Sequence, residues 1–490
     1  MRSDPEQHDP VADFLYRGET YGLADVGVSR IETHCSEVYL VGNQAYKRKR
    51  PVAFSSVDYR TLQQRAAACR AELILNRRTA PELYLGNHTV RRRADGTLGL
   101  DGDGEVVDWL VAMRRFDQSD LFDRLAAAGR LTGATMRSLG EEIAGFHRRA
   151  EIVPWSGGAA GLGHAIEQNH RDLLSMTAIL DREKIDRLHN EAIAALSSLA
   201  VLLDHRRDQG KVRRVHGDLR LANICLLDGR PTLFDGIEFS DGLSCIDMLY
   251  DVASLLADLH HRGAALLANI VFNRYLDDVA DPGNLPVLPL MLSIRAATRA
   301  YGLAGSAQRR ADPSESAALA ASAKSMFDLA HVLLRPHAPR AVAFGGFGGS
   351  RKTELVEQIA SDVKPVPGAR ILRSDRARHA VARIALDQRL LADAYRPEIA
   401  DRAYETIRAE AETILRAGHS VVVDASFFYP HHRRDFRAMA EAARIPFSGI
   451  WLGEKRDMLR GNDADDWPAI ALDDPSNALT AVRTVVGLGG

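Results

Sequence analysis

Lysine is scarce in this chain of 490 residues: only eight, at positions 47, 49, 184, 211, 324, 352, 364 and 455, among 63 basic side chains. Codon preference for arginine accounts for the scarcity, so a lysine standing in a motif carries more information than usual. An excess of one charge is also lacking, because 65 acidic residues leave a formal charge of −2. That balance argues against a general nucleic-acid binder or a membrane-surface protein and leaves room only for local patches. The four cysteines, Cys35, Cys69, Cys225 and Cys245, form no C-x-x-C pair and have no histidine at ligand spacing. They speak against a disulfide framework and predict a reducing, cytoplasmic setting. No uncharged apolar run approaches about 18 residues, which predicts no spanning helix. The polar opening MRSDPEQHDP predicts no secretory signal. With 46% apolar residues the chain has ordinary globular composition, and its length predicts roughly three compact units.

Organisation follows from periodicity. Residues 28–111 alternate short β-branched runs (37–41, 44–47, 106–113) with turns, around a helical stretch at 59–79. Gly42-Asn43 is a hairpin turn between the first two runs. Residues 120–335 read as mostly helical, with short strand-like runs at 212–215 and 232–234. The segment 334–340 has two prolines and no periodicity and reads as a linker. Beyond it, strands at 341–344 and 419–424 alternate with helices, the pattern of a parallel α/β domain.

The first constellation is Val215-His216-Gly217-Asp218-Leu219-Arg220-Leu221-Ala222-Asn223, with Phe234-Asp235 downstream. Each residue alone is an ordinary turn residue. Together they supply what phosphoryl transfer demands: a carboxylate to accept the attacking hydroxyl's proton, and an amide oxygen and second carboxylate to hold Mg²⁺ against nucleotide phosphates. Asp218 is the candidate base, Asn223 and Asp235 are candidate metal ligands, and His216 orients the loop.

This H-G-D-x-x-x-x-N loop plus later Asp resembles the aminoglycoside phosphotransferase and choline kinase branch of the protein-kinase-like fold, over roughly residues 20–330. Gly217 where protein kinases carry Arg, and Gly236-Ile237 after the metal Asp, imply a small-molecule hydroxyl substrate rather than a protein. The resemblance implies a small-lobe cation for the nucleotide phosphates, Lys47 or its rival Lys49, with Glu72 as carboxylate partner for either. It also implies that residues 111–116, around Met113, form the hinge whose backbone binds adenine. No G-x-G-x-x-G is present; Thr33-His34-Cys35-Ser36 is the loop available to cover the nucleotide. Asp247 and Asp251 lie where the family has an acidic helix, with capping and substrate contact both open.

The second constellation, Gly346-Phe347-Gly348-Gly349-Ser350-Arg351-Lys352-Thr353, resembles a phosphate-binding loop, G-x-x-x-x-G-K-[ST]. Gly346, Gly349 and Ser350 would cradle phosphate, Lys352 would reach the β- and γ-phosphates, and Thr353 would contact Mg²⁺. Arg351 stands where glycine is expected, which also keeps open a glycine-rich turn without nucleotide. Asp424 occupies the Walker B position, and Ser374-Asp375 resembles the pair of zeta-toxin-like and gluconate-kinase-like P-loop kinases, in which Asp375 would meet the accepting hydroxyl. Arg433, Arg434, Arg456 and Arg460 are candidate lid arginines, followed by a tail shorter than the family's lid.

The order of the two units, together with 75–78, 84–86 and Phe146-His147, resembles bacterial proteins that fuse an aminoglycoside-phosphotransferase-like domain to a P-loop ATP-binding domain. The implied fold is an α+β bilobal protein-kinase-like domain (small lobe 20–115, helical lobe 116–333), a linker (334–340) and an α/β P-loop domain with a parallel sheet (341–490). The implied activity is Mg²⁺- and ATP-dependent transfer to a small-molecule hydroxyl. Two alternatives stand beside it: a nucleotide-sensing regulator with one or both sites non-catalytic, and a polynucleotide 5′-hydroxyl kinase in the second domain. Near-neutral charge disfavours nucleic acid as a partner.

Overall fold

The computed structural model describes residues 9–488, except 24, 34, 54–56, 348, 385–387, 391–395 and 454–466. The chain divides into two units: Met1–Leu131 with Phe146–Ser156 and Val212–Asp251, and Thr132–Gly145 with Gly157–Lys211 and Val252–Gly490.

The first unit carries a six-stranded antiparallel sheet of β1 (Ser29–Glu32), β2 (Ser36–Val41), β3 (Gln44–Lys49), β4 (Tyr84–Arg92), β5 (Leu98–Leu100) and β6 (Glu105–Arg114), in the order β1-β2-β3-β6-β4-β5. Strands β2 and β3 form the expected hairpin, Val41 opposite Gln44. Gly42 adopts φ +53°, which a two-residue hairpin turn requires. The helix Leu62–Asn76 starts with a capping box: the Thr61 side chain accepts the Gln64 N–H, and the Gln64 side chain accepts the Thr61 N–H. Cys69 on that helix packs into a core with Leu83, Tyr84, Val111 and Met113.

Four short strands follow: β7 (Val212–Arg214), β8 (Ile224–Leu227), β9 (Arg230–Leu233) and β10 (Cys245–Asp247). β7 pairs with β10, and β8 with β9. β7 and β9 match the expected runs, whereas β8 was not expected. Its sequence signal is Asp228-Gly229, both at positive φ (49° and 79°), a hairpin turn dipeptide.

The second unit combines long helices, among them Arg182–Asp208, Ala265–Val279, Leu288–Arg309 and Pro313–Leu334, with a parallel sheet. Its strands are β11 (Ala341–Gly346), β12 (Arg370–Arg373), β13 (Val421–Asp424), β14 (Phe447–Leu452) and β15 (Ala469–Ile470), in the order β12-β13-β11-β14-β15. The fold class is therefore the expected one, a mixed α and β kinase-like part followed by a parallel α/β part. Parallel strands are covered on both faces, so Val421-Val422-Val423 is a continuous buried run rather than an alternating one. The helices Ser350–Asp362 and Pro475–Val486 close the core through Val356, Ile359 and Val482 over Val342, Phe344, Val422 and Ile450. The tail adds a strand, β15, to the helix expected there. Trp467 lies buried over Gly449, where any Cβ would stand 2.1 Å from the indole. The expected linker has no regular structure between Leu334 and Ala341.

β12 is an edge strand, and a bare edge invites pairing with other chains. The helix Ala265–Val279 covers it with buried amides. Asn273 Oδ1 accepts the Ile371 N–H (2.6 Å), and Asn269 Nδ2 donates to the carbonyls of Pro367 (3.2 Å) and Ala369 (3.0 Å). Arg370 adds a bond to Asp277 Oδ1 (2.7 Å).

One helix, Pro313–Leu334, has the length and mean hydropathy (1.3) to cross a membrane, although it carries Glu315, Lys324 and Asp328. Its Ala323, Met326, Phe327, Ala330 and Leu333 are buried, and Ser293 Oγ donates to the Ala330 carbonyl (2.8 Å).

His419 is buried beneath Phe272, with Nε2 3.0 Å from the Gly368 carbonyl. Burial pushes its imidazole from the ordinary 6.5 down to about 4. The unfolded chain then binds the extra proton between those values, so stability is fully present above about pH 6.5 and is lost as pH falls toward 4. At pH 5 the loss amounts to roughly 2 kcal/mol. Urea midpoints of the full chain at pH 7 and pH 5 should show it, and His419→Gln should flatten the difference; an unchanged pH dependence in that variant contradicts the assignment.

Candidate functional site

A strand pleat returns side chains to one face every second residue, so Lys47 and Lys49 on β3 point the same way. Both reach Glu72 on the helix Leu62–Asn76: Lys47 Nζ lies 2.8 Å from Oε1 and Lys49 Nζ 2.6 Å from Oε2. Their second partners separate them. Lys47 continues to Asp235 Oδ1 (2.5 Å), whose side chain is 43% exposed. Lys49 turns inward to Glu238 Oε1 (2.5 Å) and stands 5.3 Å from the Tyr59 ring centre. Lys49, Glu72 and Glu238 are buried, so Lys47 is the ammonium at the open end of the cluster.

Charge follows geometry. Burial by itself pulls the Lys47 ammonium down, but Asp235 and Glu72 outweigh it and hold the group well above its ordinary value. Burial pushes the Glu72 and Asp235 carboxyls up, and the lysines overcome that and hold both below the usual carboxylate range. Glu238 goes the other way: burial raises its carboxyl, and Lys49 offsets only part of the shift.

The loop that carries His216 and Gly217 is held by Asp251, which is fully buried. Its Oδ2 accepts the His216 N–H (3.2 Å), its Oδ1 accepts the Gly217 N–H (2.9 Å), and His147 Nε2 stands 3.1 Å from Oδ2. Asp251 is thus a loop anchor, and Asp247 caps the next helix through the Leu249 N–H (2.8 Å). Gly217 has φ +86°, and a Cβ there would stand 2.8 Å from the Leu243 carbonyl, so the backbone demands glycine. His216 Nε2 lies 2.9 Å from the Phe234 carbonyl and ties this loop to the one carrying Asp235.

Asp218 is 39% exposed at the loop's rim, its Oδ2 accepting from Arg220 Nε and Asn223 Nδ2, both at 2.9 Å. With its nitrogen used on Asp218, the amide oxygen is the donor Asn223 would offer a cation. Asp235 sits at φ +60°, its N–H 3.1 Å from the Tyr84 hydroxyl. An amide oxygen and a half-exposed carboxylate are hard donors, a set that fits Mg²⁺. Asn76 braces this arrangement, accepting the Gly236 N–H (2.7 Å) while donating to the Glu72 carbonyl (3.0 Å). Met113, next to last in β6, lies opposite Ala45 and is buried. Thr33 and Ser36 close the turn between β1 and β2 (2.8 Å), and His34 lies outside the described residues.

Arg220, Glu238 and Asn76 escaped sequence reasoning. Arg220 lies two residues after Asp218, where it does not stand out in a chain rich in Arg, and Glu238 three after Asp235, outside any motif spacing.

In the second constellation, Gly346 has φ +119°, and a Cβ would stand 2.2 Å from the Leu452 carbonyl. Gly349 precedes the helix Ser350–Asp362 with open space around it, Ser350 opens that helix, and Arg351 is exposed on the first turn. Lys352 is buried and folded inward, with Nζ 2.5 Å from the Ala425 carbonyl, 3.3 Å from the Gly346 carbonyl and 3.2 Å from Asp424 Oδ1. Burial pulls its ammonium below the ordinary value, Asp424 offsetting part of the shift. Thr353 Oγ1 lies 3.4 Å from the Gly349 carbonyl, and Asp375 is exposed at the start of its helix, its Oδ1 accepting the Arg376 N–H (2.8 Å). Asp424 faces Phe344 across the β13–β11 register. Arg433 is buried on the Phe427 carbonyl (2.7 Å) and Arg434 is exposed; Gly348, Arg456 and Arg460 lie outside the described residues.

A chain of ion pairs ends at that lysine: Arg137 to Glu357 (2.9 Å), Glu357 to Arg373 (3.0 Å), Arg373 to Asp424 (3.7 Å) and Asp424 to Lys352.

The two lysines of β3 should behave differently on removal. Lys49→Met strands Glu238 in the interior and should cost about 3–5 kcal/mol. Lys47→Met leaves Glu72 paired with Lys49 and Asp235 open to water, and should cost under about half as much. Urea denaturation of both variants checks the order; equal costs contradict it.

Comparison with known proteins bears on both constellations. Residues 60–288 match the phosphotransferase enzyme family, and residues 342–464 match the AAA domain. An uncharacterized protein of Mycobacterium tuberculosis is 27% identical over 422 residues, which is 84% of this chain and 80% of the relative. Among solved structures, a choline/ethanolamine kinase family protein from Mesorhizobium loti is 12% identical with a TM-score of 0.38, covering 63% of this chain and 92% of its own. An APS kinase of Mycobacterium tuberculosis is 18% identical with a TM-score of 0.24, covering 31% of this chain and 99% of its own. The chain thus carries a segment that matches the phosphotransferase enzyme family, followed by one that matches the AAA domain, in the order of its two sets of motifs.

Proposed function

We propose that the chain is an ATP- and Mg²⁺-dependent phosphotransferase acting on a small-molecule hydroxyl, with Asp218 as base, in a four-part chain divided at residues 115, 333 and 340. The observation that carries this reading is Lys47, held by Glu72 and joined to Asp235, beside a loop whose half-exposed carboxylate is Asp218. Asp218 would orient the acceptor hydroxyl and take its proton as the oxygen attacks. Lys47 would meet the nucleotide phosphates, and Met113 would lie along the adenine. Asn223 and Asp235 would hold Mg²⁺, which when bound neutralises phosphate charge. His216 positions the loop through the Phe234 carbonyl and takes no proton in the reaction.

Asp218→Ala should lower ATP-dependent product formation by about 10²–10⁴-fold in a screen of metabolite extracts. Turnover equal to that of the unaltered chain would remove Asp218 from the role.

A second reading applies to the AAA-domain segment: nucleotide binding without transfer. It is favoured by Lys352, which is committed to two carbonyls and Asp424, and by Arg351 in a glycine position. Gly346, Gly349, Ser350 and Thr353 would still surround phosphate, and Asp375 and Asp424 would lack a transferring partner. Calorimetry of the full chain with ATP should then register a second binding event that Lys352→Ala abolishes and Lys47→Met does not. Labelled phosphate transfer that survives Asp218→Ala and disappears with Asp375→Ala would overturn this reading and make the second site catalytic.

A further inference from the structure

Neither constellation involves a histidine cluster that lies in the AAA-domain segment. His431 and His432 open the helix Pro430–Ala442, and Asp401 lies in the first turns of the helix Pro397–Arg416. Asp401 Oδ1 stands 2.8 Å from His432 Nε2 and 3.2 Å from His431 Nε2, and one donor atom from each residue falls within 4.8 Å of the others. We propose that Asp401, His431 and His432 form a binding site for a divalent transition metal of the zinc class.

Three observations carry the assignment. The first is spacing. Ligand bonds of about 2.0–2.1 Å set donors in a tetrahedral site roughly 3.3 Å apart, so the two separations from Asp401 need shifts of only about 0.5 Å. The second is direction. An imidazole lone pair lies in the ring plane, so two rings stacked in separate parallel planes cannot both aim at one cation. The His431 and His432 rings are 4.1 Å apart and inclined at 60°. The chain's other cluster of this kind among the described residues, Glu167, His170 and His189, has its two rings stacked at 19°, close to that parallel arrangement.

The third is the surroundings. A cleft of about 270 Å³ opens beside the cluster and is lined also by Glu405 and Asp435, two further oxygen donors. His432 is fixed in it, 4% exposed and stacked on Tyr404 at 3.7 Å and 10°. Two nitrogens and one carboxylate suit Zn²⁺, Co²⁺ or Ni²⁺ and leave one or more positions open to water or a ligand. Such a cation would fasten the segment that follows Asp424 to the helix Pro397–Arg416.

The test is titration of the full, tag-free chain with Co²⁺, read by its visible absorption, followed by displacement with Zn²⁺. One equivalent should bind, and His170→Gln should leave it unchanged. Loss of an outer-shell partner alone typically weakens metal binding 10–100-fold, so His431→Gln and Asp401→Asn should each weaken it by at least about 100-fold. Both residues are half exposed, so neither change threatens the fold, which circular dichroism checks. Absence of Co²⁺ binding, affinity retained in His431→Gln, or binding lost in His170→Gln would each overturn the proposal.

Discussion

A carboxylate sealed from water must find positive charge, because its desolvation costs several kcal/mol that only close partners offset. Glu72 is such a carboxylate, and the geometry of the first unit is organised around it. The pleat of β3 delivers two ammoniums to it, one per oxygen, and each ammonium then selects a different second carboxylate. Lys49 and Glu238 close the inner end. Lys47 and Asp235 form the outer end, where a carboxylate still meets solvent and a nucleotide or cation could arrive. Removing either lysine therefore tests a different thing, the buried frame or the open site.

The loop from His216 to Asn223 obeys the same logic with backbone groups. Asp251 absorbs two consecutive N–H groups at a turn that only glycine can make, and His216 reaches across to the Phe234 carbonyl. Buried polar groups hold both loops, while Asp218 and Asp235 keep their side chains at the rim, partly open to solvent. Such networks are costly in stability when any member is removed, and that same cost holds a single geometry.

In the second unit, an edge strand and a phosphate-binding-type loop are joined to the preceding helices by side chains rather than by sheet pairing. Asn269 and Asn273 satisfy β12, and an ion-pair chain runs from Arg137 through Glu357, Arg373 and Asp424 to Lys352. Lys352 is drawn inward by the same carboxylate that a magnesium-binding role would require, so engaging a nucleotide there means breaking that pair.

Residue order alone determined the alternation of strands and helices and, through the resemblance of its motifs to known families, the fold class, because apolar periodicity, turn dipeptides and fixed spacings are local properties. Val421-Val422-Val423 could only be a covered strand, and the run from His216 to Asn223 carries its chemistry in its spacing. Two scarce lysines on one strand face were legible as rivals; which of them faces the open site was not. That choice rests on Glu238 and Asp235, residues nearly 190 positions away, brought beside β3 by packing. The roles of Asp251, Asn76 and Asn273 were likewise beyond the sequence, since an unpaired backbone N–H exists only once a fold has buried it.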